Sequence, residues 1–519
     1  MKERVEAGQL KHNGHQLRTT PSGCVVLLLL TSCSLGANTF DKLRAGLDLK
    51  AMFQDSIPPS PFMNVVYNYA NTMLERGSDT YGPQKSGLFL SALDRKTLSI
   101  LETRPPAPAG IRQGDRPGPM DGPLVGANPQ LDQNLLRLLY FLKEMSGDEK
   151  YRQAADNELN WFLQNTQSPV TGLLPWGEHL SWNVLTDQVA SGHKEPVHEF
   201  ARPWMLWDRC FELAPEQSRK FALGLWNSQI ADHKTGVFNR HADINQVGPQ
   251  AGMDFARHAG FYIRTWAHAY VHTREEIFLE AIAVLLGRYE KKRHPQTGLI
   301  ELCTGSPQAS PILSLSLAID CDGAAGKVPE PLRTRLARFA AREDEIFCSL
   351  PHDLTDRKGF VTSLDPATAE PDGSLSSLWD AKYGAFTTAA AAMMCVSRYE
   401  NTGRIGYRDL IIAAADAYMD SLPADDSDAW PMTFGHAISL ELAAFRATAG
   451  EKYHERAIEL GKIAVEKFFG DSPLPRASLK TSHYESITGP DTLVLALAEL
   501  HLATLQITAV RPPVNTIDR

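Results

Sequence analysis

From about residue 60 onward, apolar side chains recur at every third or fourth position, as in Leu131, Leu135, Leu136, Leu138, Leu139 and Leu142. That is the spacing of one face of a helix, and the strict alternation of a half-buried strand is scarce. The pattern predicts an all-α fold. Within it a short motif recurs: a small or polar residue and Gly, then an aromatic residue, then an Ala-rich amphipathic run. Copies stand at Ser146-Gly147, Tyr151 and Ala154, at Thr402-Gly403, Tyr407 and Ala413, and at Ala449-Gly450, Tyr453 and Ala457, with a degenerate one at Thr273, Phe278 and Ala281. Each predicts a helix that ends on a Gly turn and a next helix whose ring packs on its neighbour.

Repeated helical hairpins follow from this, and the period is much longer than the roughly 34 residues of a solenoid repeat, with long polar inserts between helices. An (α/α) toroid with site-building loops fits better than an open superhelix. Arg104–Pro123 and a looser region from about Ser306 to Pro331 interrupt the pattern, but neither separates stretches of different composition. The expected organisation is a leader over 1–33, a tail over 34–59, one catalytic toroid over 60–507 and a tail over 508–519. A small second domain near 300–375 is the alternative.

The leader is inferred from Lys2, Arg4, Lys11 and Arg18, followed by the apolar run Cys24-Val25-Val26-Leu27-Leu28-Leu29-Leu30. The order basic, apolar, small is that of a signal peptide, and the run is far short of the roughly 20 residues that span a bilayer. Leu30-Thr31-Ser32-Cys33 resembles the box at which bacterial lipoproteins are cleaved and lipidated, which makes Cys33 a candidate lipid anchor; plain secretion is the alternative. Cys210, Cys303, Cys321, Cys348 and Cys395 have no C-x-x-C spacing, so no zinc site follows. One bridge, Cys303 with Cys321, or buried free thiols are both open. With 61 acidic against 52 basic residues, the chain lacks the basic face that nucleic acid requires. A mean hydropathy of −0.25 excludes a polytopic membrane protein.

Three stretches carry candidate chemistry. Trp176-Gly177-Glu178-His179-Leu180-Ser181-Trp182, continuing to His198-Glu199-Phe200, mixes rings, acids and imidazoles without a helical stripe. Such a mixture suits a cleft in which Trp faces stack on sugars and polar groups meet hydroxyls. His198-Glu199 lacks the second His that a zincin helix needs. Phe238-Asn239-Arg240-His241 places next to one another a guanidinium that grips a carboxylate and an imidazole that takes a proton. Near the C-terminus, Arg476 and the triplet His483-Tyr484-Glu485 lie in a Gly- and Pro-punctuated loop before the last helix. Each of these residues also has a plain reading as a satisfied core group or a helix cap.

The hairpin periodicity, the Trp-rich loops and the leader resemble the α/α-toroid carbohydrate-active enzymes, which include polysaccharide lyases, unsaturated-uronyl hydrolases and sugar epimerases. Tyr81-Gly82-Pro83, Gly87-Leu88-Phe89, Asn128-Pro129-Gln130, Asp132-Gln133-Asn134-Leu135, His198-Glu199, Phe238-Asn239-Arg240-His241 and Pro475-Arg476-Ala477-Ser478 with His483-Tyr484-Glu485 resemble bacterial pectate-lyase-like proteins in particular. The resemblance implies an exported enzyme, periplasmic, outer-membrane-anchored or secreted, acting on an acidic polysaccharide or oligosaccharide. Eliminative cleavage of a uronate needs a base for the C5 proton, a neutraliser for the carboxylate and an acid for the leaving oxygen. The expected assignment is His241 or His198 as base, Asn239 and Arg240 as neutralisers, and Tyr484 as acid assisted by His483. Trp176, His179, Trp182, Glu199, Arg476 and Glu485 are expected to bind substrate. No metal ligands or cofactor are assigned, with Ca²⁺ left open because isolated acids bridge it to uronates. The alternatives are a hydrolase using two of Asp187, Glu195, Glu199, Asp254 and Glu485, an epimerase using two histidines, and a non-catalytic glycan-binding lipoprotein.

Overall fold

Some helices of this chain are buried on every side and others along one stripe only, and that difference sorts them into two concentric layers. In the computed structural model, residues 60–248, 251–355, 358–507, 511–516 and 518 are described; the leader and its candidate anchor Cys33, with the tail over 34–59, lie outside them. The helices are α1 (Pro61–Arg76), α2 (Gln133–Ser146), α3 (Glu149–Thr166), α4 (Trp207–Leu213), α5 (Pro215–Gln229), α6 (Ala256–Thr273), α7 (Glu276–Lys291), α8 (Pro311–Ala325), α9 (Leu332–Ser349), α10 (Thr388–Thr402), α11 (Ile405–Tyr418), α12 (Pro431–Thr448), α13 (Glu451–Ala464) and α14 (Pro490–Thr504). On α7 the buried residues Phe278, Ala281, Ile282, Leu285, Leu286 and Tyr289 keep the three-and-four spacing of a single face. On α8 the run from Pro311 to Cys321 is buried without a break, as expected of a helix enclosed by others.

The enclosed helices form a ring. Helix α6 packs on α8, α8 on α10, α10 on α12, α12 on α14, and α14 on α2, while α3, α7, α9, α11 and α13 each back the helix that precedes them. Between α2 and α4 the ring is closed by the Gln133 carboxamide, which donates to the Pro203 carbonyl (2.9 Å) and accepts from the Met205 N–H (2.6 Å). The fold is an all-α (α/α) toroid, as the periodicity predicts.

The recurring motif does what its residues suggest. Gly147 and Gly403 end their helices in the left-handed conformation, and Tyr151, Tyr407, Tyr453 and Phe278 are all buried against the neighbouring layer. In the other two copies the left-handed residue is Ala449 rather than Gly450, and Arg274. These tight turns lead from an inner helix to its outer partner. The connections back inward are long: 167–206, 230–255, 292–310, 350–387, 419–430 and 465–489. Because the inner helices run parallel, the long connections gather on the rim where those helices begin.

One expectation is corrected here, and one open alternative is decided. Residues 511–516 and 518 are not a peripheral tail: Arg137 donates to the Val514 carbonyl (3.1 Å), and buried Asn515 bonds Asn134, Ser439 and Thr492 of three inner helices. The Asp518 carboxylate sits between Arg202 (3.0 Å) and His436 (3.0 Å), so this segment fills the bore of the ring. The five described cysteines are free, with Cys321 buried on α8, so no bridge joins it to Cys303. Among the described residues no helix is long and apolar enough to cross a membrane. The region 299–376 carries a satellite core of Leu299, Ala309, Ile346, Val361 and Leu364.

Candidate functional site

Short strands in the rim loops bring the candidate residues together. Strand β1 (Val197–His198) pairs antiparallel with β2 (Ala242–Asp243), aligning His198 with Ala242, so Glu199 and His241, which flank that pair, meet. Gly177 forms a parallel bridge with Glu199, and a Cβ on Gly177, whose φ is +90°, would stand 1.7 Å from the Glu199 carbonyl. Only glycine permits that approach, and it brings Glu178 and His179 onto the same carboxylate.

Glu199 is the hub. Its side chain is fully buried, with Oε2 2.7 Å from His241 Nε2 and 3.2 Å from His179 Nε2. Its Oε1 is 3.0 Å from His258 Nε2 and pairs with Arg240. Arg240 also reaches Glu178 (3.6 Å), and its guanidinium lies on the Phe255 ring, 4.9 Å from the centroid. Burial and the positive charge of Arg240 press His241 down to about 3, so its ring is neutral. Burial also lowers the Arg240 guanidinium; Glu178 opposes that shift and Arg257 adds to it. Fully buried His258 is held well below its ordinary value, first by burial and then by Arg257 and Arg240.

Phe255 and Arg257 carry this cluster into a cleft of about 760 Å³, walled further on by Gln308, Ser363, Asp380 and Asp428. That volume holds several sugar rings at the scale of known ligand clefts. Among the described residues no acidic group lies within ion-pair distance of Arg257, so its charge is available to an anionic ligand.

His179, Glu199 and His241 each offer one donor atom, all within 4.8 Å of one another. Two imidazoles and a carboxylate on one point fit a divalent transition metal, because Ca²⁺ takes oxygen ligands only. His179 also belongs to a second group, with Asp115 and His193.

Several expected site residues lie elsewhere. Neighbouring residues of a strand point to opposite faces, so the turn that delivers Glu199 sends His198 into the core. There Trp176 Nε1 donates to its Nε2 (3.3 Å) and Gln229 occupies Nδ1 (2.9 Å), and burial lowers it to about 3. It cannot be the base. Trp176 is enclosed by Phe162, Trp204 and Phe221, and Trp182 is buried edge-on against Trp161, so neither presents a face to a sugar. Tyr484 is fully buried with its hydroxyl 3.0 Å from that of Tyr69, and burial raises it well above its ordinary value. It has no open side for a leaving group. Glu485 is gripped by Arg116 through two bonds (2.8 and 2.7 Å), and His483 bonds the same carboxylate (2.7 Å). This is a buried ion pair that fastens the loop before α14. Arg476 stands with Arg95 and Asp471, and Asn239 spends its carboxamide oxygen on the His241 N–H (3.1 Å).

His179, Glu199, Arg240 and His241 are thus brought together, and Arg112, Asp115, Glu178, His193, Arg257 and His258 join them. Arg112 and Asp115 fall in the Pro- and Gly-rich stretch that reads as a break in the helical pattern; charged residues within such a loop were the one available signal.

Residues 121–259, which contain most of this cluster, match the family model described as periplasmic pectate lyase. A pectate disaccharide-lyase of Dickeya dadantii (strain 3937) is 32% identical over 126 residues, spanning 24% of this chain and 22% of that protein. The chain therefore matches about a fifth of the length of this relative. Among solved structures, a D-mannose isomerase aligns with 86% of this chain and 100% of its own at 10% identity and a TM-score of 0.47. The cellobiose 2-epimerase of Bacillus thermoamylovorans B4167 aligns with 84% of this chain and 98% of its own at 10% identity and a TM-score of 0.45.

Proposed function

We propose that this chain is an exported lyase that cleaves a uronate-containing polysaccharide or oligosaccharide by β-elimination. The observation that carries the reading is the convergence of His179, Glu199, Arg240 and His241, with Arg240 lying on Phe255, which lines a cleft of sugar-chain size. The match of residues 121–259 to a pectate lyase family supports the same reaction and a periplasmic location.

In elimination the C5 proton leaves to a base, its electrons form the C4–C5 double bond, and the C4–oxygen bond to the leaving sugar breaks; that oxygen ends protonated. His179, Glu199 and His241 would hold a divalent cation, which would supply positive charge beside the uronate carboxylate and so make the C5 proton more acidic. Arg240 stands beside the substrate, fixed in orientation by Glu199 and by the Phe255 ring, and burial lowers its hold on its own proton. We assign it the C5 proton: the guanidinium first gives a proton to solvent, its neutral form accepts the C5 proton, and water supplies the proton that the leaving oxygen takes. Arg257, with no acid at ion-pair distance, faces the sugar chain from the cleft wall.

The alternatives fit less well. A hydrolase needs two carboxyl groups roughly 5–9.5 Å apart, one able to give a proton. Glu178 and Glu199 are both tied to arginines, Asp254 is held by Arg288 and Lys292, and Glu485 by Arg116. An epimerase with imidazoles on opposite faces of a ring needs a gap of two van der Waals contacts, roughly 7–8 Å. The His179 and His241 ring centroids are 5.4 Å apart.

The test is incubation of the purified protein with a panel of uronic-acid polysaccharides, with absorbance of the unsaturated product followed near ~235 nm beside a reducing-end assay. Both signals rise together for a lyase. Reducing ends without absorbance would make the protein a hydrolase and overturn the proposal.

A further inference from the structure

We infer that Asp115 is a positioning residue for this site: its carboxylate fixes the ring of His179 so that Nε2 is turned toward Glu199 and His241. The inference rests on the proposal that His179, Glu199 and His241 hold a divalent cation.

Asp115 closes a short 3-10 turn, Gln113–Asp115, and is buried. Its Oδ2 accepts from Arg112 Nε (2.5 Å), and the same guanidinium reaches Glu178 Oε1 (2.5 Å), the residue before His179. Arg112 therefore ties the Asp115 turn to the Glu178-His179 bend. The backbones of the two loops pass in contact behind them: a Cβ on Gly192 would stand 2.0 Å from the Gly114 carbonyl. His193, the next residue, stacks edge-on to His179 with ring centroids 4.3 Å apart.

Two buried atoms in this arrangement lack a hydrogen-bond partner among the described residues, Asp115 Oδ1 and His179 Nδ1, and they face each other at 3.5 Å. A contraction of a few tenths of an ångström joins them, satisfying both. With Nδ1 held on Asp115, Nε2 is the ring atom turned to Glu199 Oε2, 3.2 Å away. The carboxylate that orients an imidazole and fixes its tautomer behind a metal is the expected second partner of such a ligand. His193 Nε2, 3.8 Å from Asp115 Oδ1 and half exposed, covers the pair from solvent and is not required by it.

The test is titration of Co²⁺ into the metal-free full chain by calorimetry and visible absorption, for the wild type and for Asp115→Ala and Asp115→Asn, with melting temperatures alongside. The wild type is expected to bind one equivalent. Asp115→Ala weakens binding about 100-fold and Asp115→Asn, which keeps an acceptor oxygen but loses the charge, about tenfold, within the range for orienting partners of metal ligands. Unchanged affinity in Asp115→Ala overturns the inference, and Asp115→Asn decides if the alanine variant does not fold. Two equivalents in the wild type, falling to one in Asp115→Ala, overturn it by making Asp115 a ligand. Absence of binding by the wild type overturns the cation reading and this inference together.

Discussion

Glu199 Oε2 stands 2.7 Å from His241 Nε2 although 42 residues separate them. Two loops on the toroid rim, held together by a two-residue strand pair, create that approach. The same carboxylate meets a second imidazole, a third from helix α6, and a guanidinium, so its removal should be felt by every group of the site.

Glu199→Gln keeps the shape and removes the charge. Turnover of a uronic-acid polysaccharide, followed by product absorbance, is expected to fall about a thousandfold, the scale for losing a preorganised charge. Retention of more than a tenth of the activity would remove Glu199 from the centre of the site.

Two imidazoles and one carboxylate select a transition metal over Ca²⁺. Dialysis against a chelator should abolish turnover, and Mn²⁺, Co²⁺ or Ni²⁺ should restore it where Ca²⁺ does not. Restoration by Ca²⁺ alone would point to isolated acids elsewhere in the cleft.

The loop before α14 is expected to matter for stability and not for chemistry. Tyr484→Phe deletes one buried hydroxyl contact and should leave kcat/KM within twofold while lowering stability by about 1 kcal/mol. Arg116→Met leaves Glu485 buried without its guanidinium, at a cost of about 3–5 kcal/mol. Chemical denaturation measures both. A large kcat loss in Tyr484→Phe at unchanged stability would return Tyr484 to the role of acid.

Glu441 on α12 is buried with both carboxylate oxygens unpaired, and burial raises it to about 9. The folded chain therefore holds a proton there that the unfolded chain, with an ordinary carboxyl near ~4.3, has lost at neutral pH. By linkage, this group's contribution to stability is greatest below the unfolded value and declines as pH rises toward 9. Glu441→Gln removes that decline and should stabilise the fold by about 5 kcal/mol at pH 8, with the difference vanishing near pH 4. Equal pH slopes for the two proteins in denaturant unfolding would show that Glu441 is ionised in the folded state.

By itself the sequence determined the layered helical fold and much of the site. Apolar spacing is a local property that an inner or outer helix writes directly into its residues, as α7 and α8 show, and the Gly-turn motif marks the hairpins one by one. His179, Glu199, Arg240 and His241 were legible because acids, imidazoles and guanidinium groups clustered in loops are unusual in a helical core. Only the tertiary structure decided which neighbour in each pair faces the cleft. His198 and Glu199 are adjacent in the chain, yet the strand sends one to Trp176 and the other to His241. The aromatic and His-Tyr-Glu stretches look equally chemical in sequence, but Trp176 and Tyr484 are enclosed by rings from distant segments, a fact no local pattern records. Asp115 and the segment ending at Asp518 were hidden for the same reason: their partners, His179, Arg202 and His436, are brought to them only by closure of the ring.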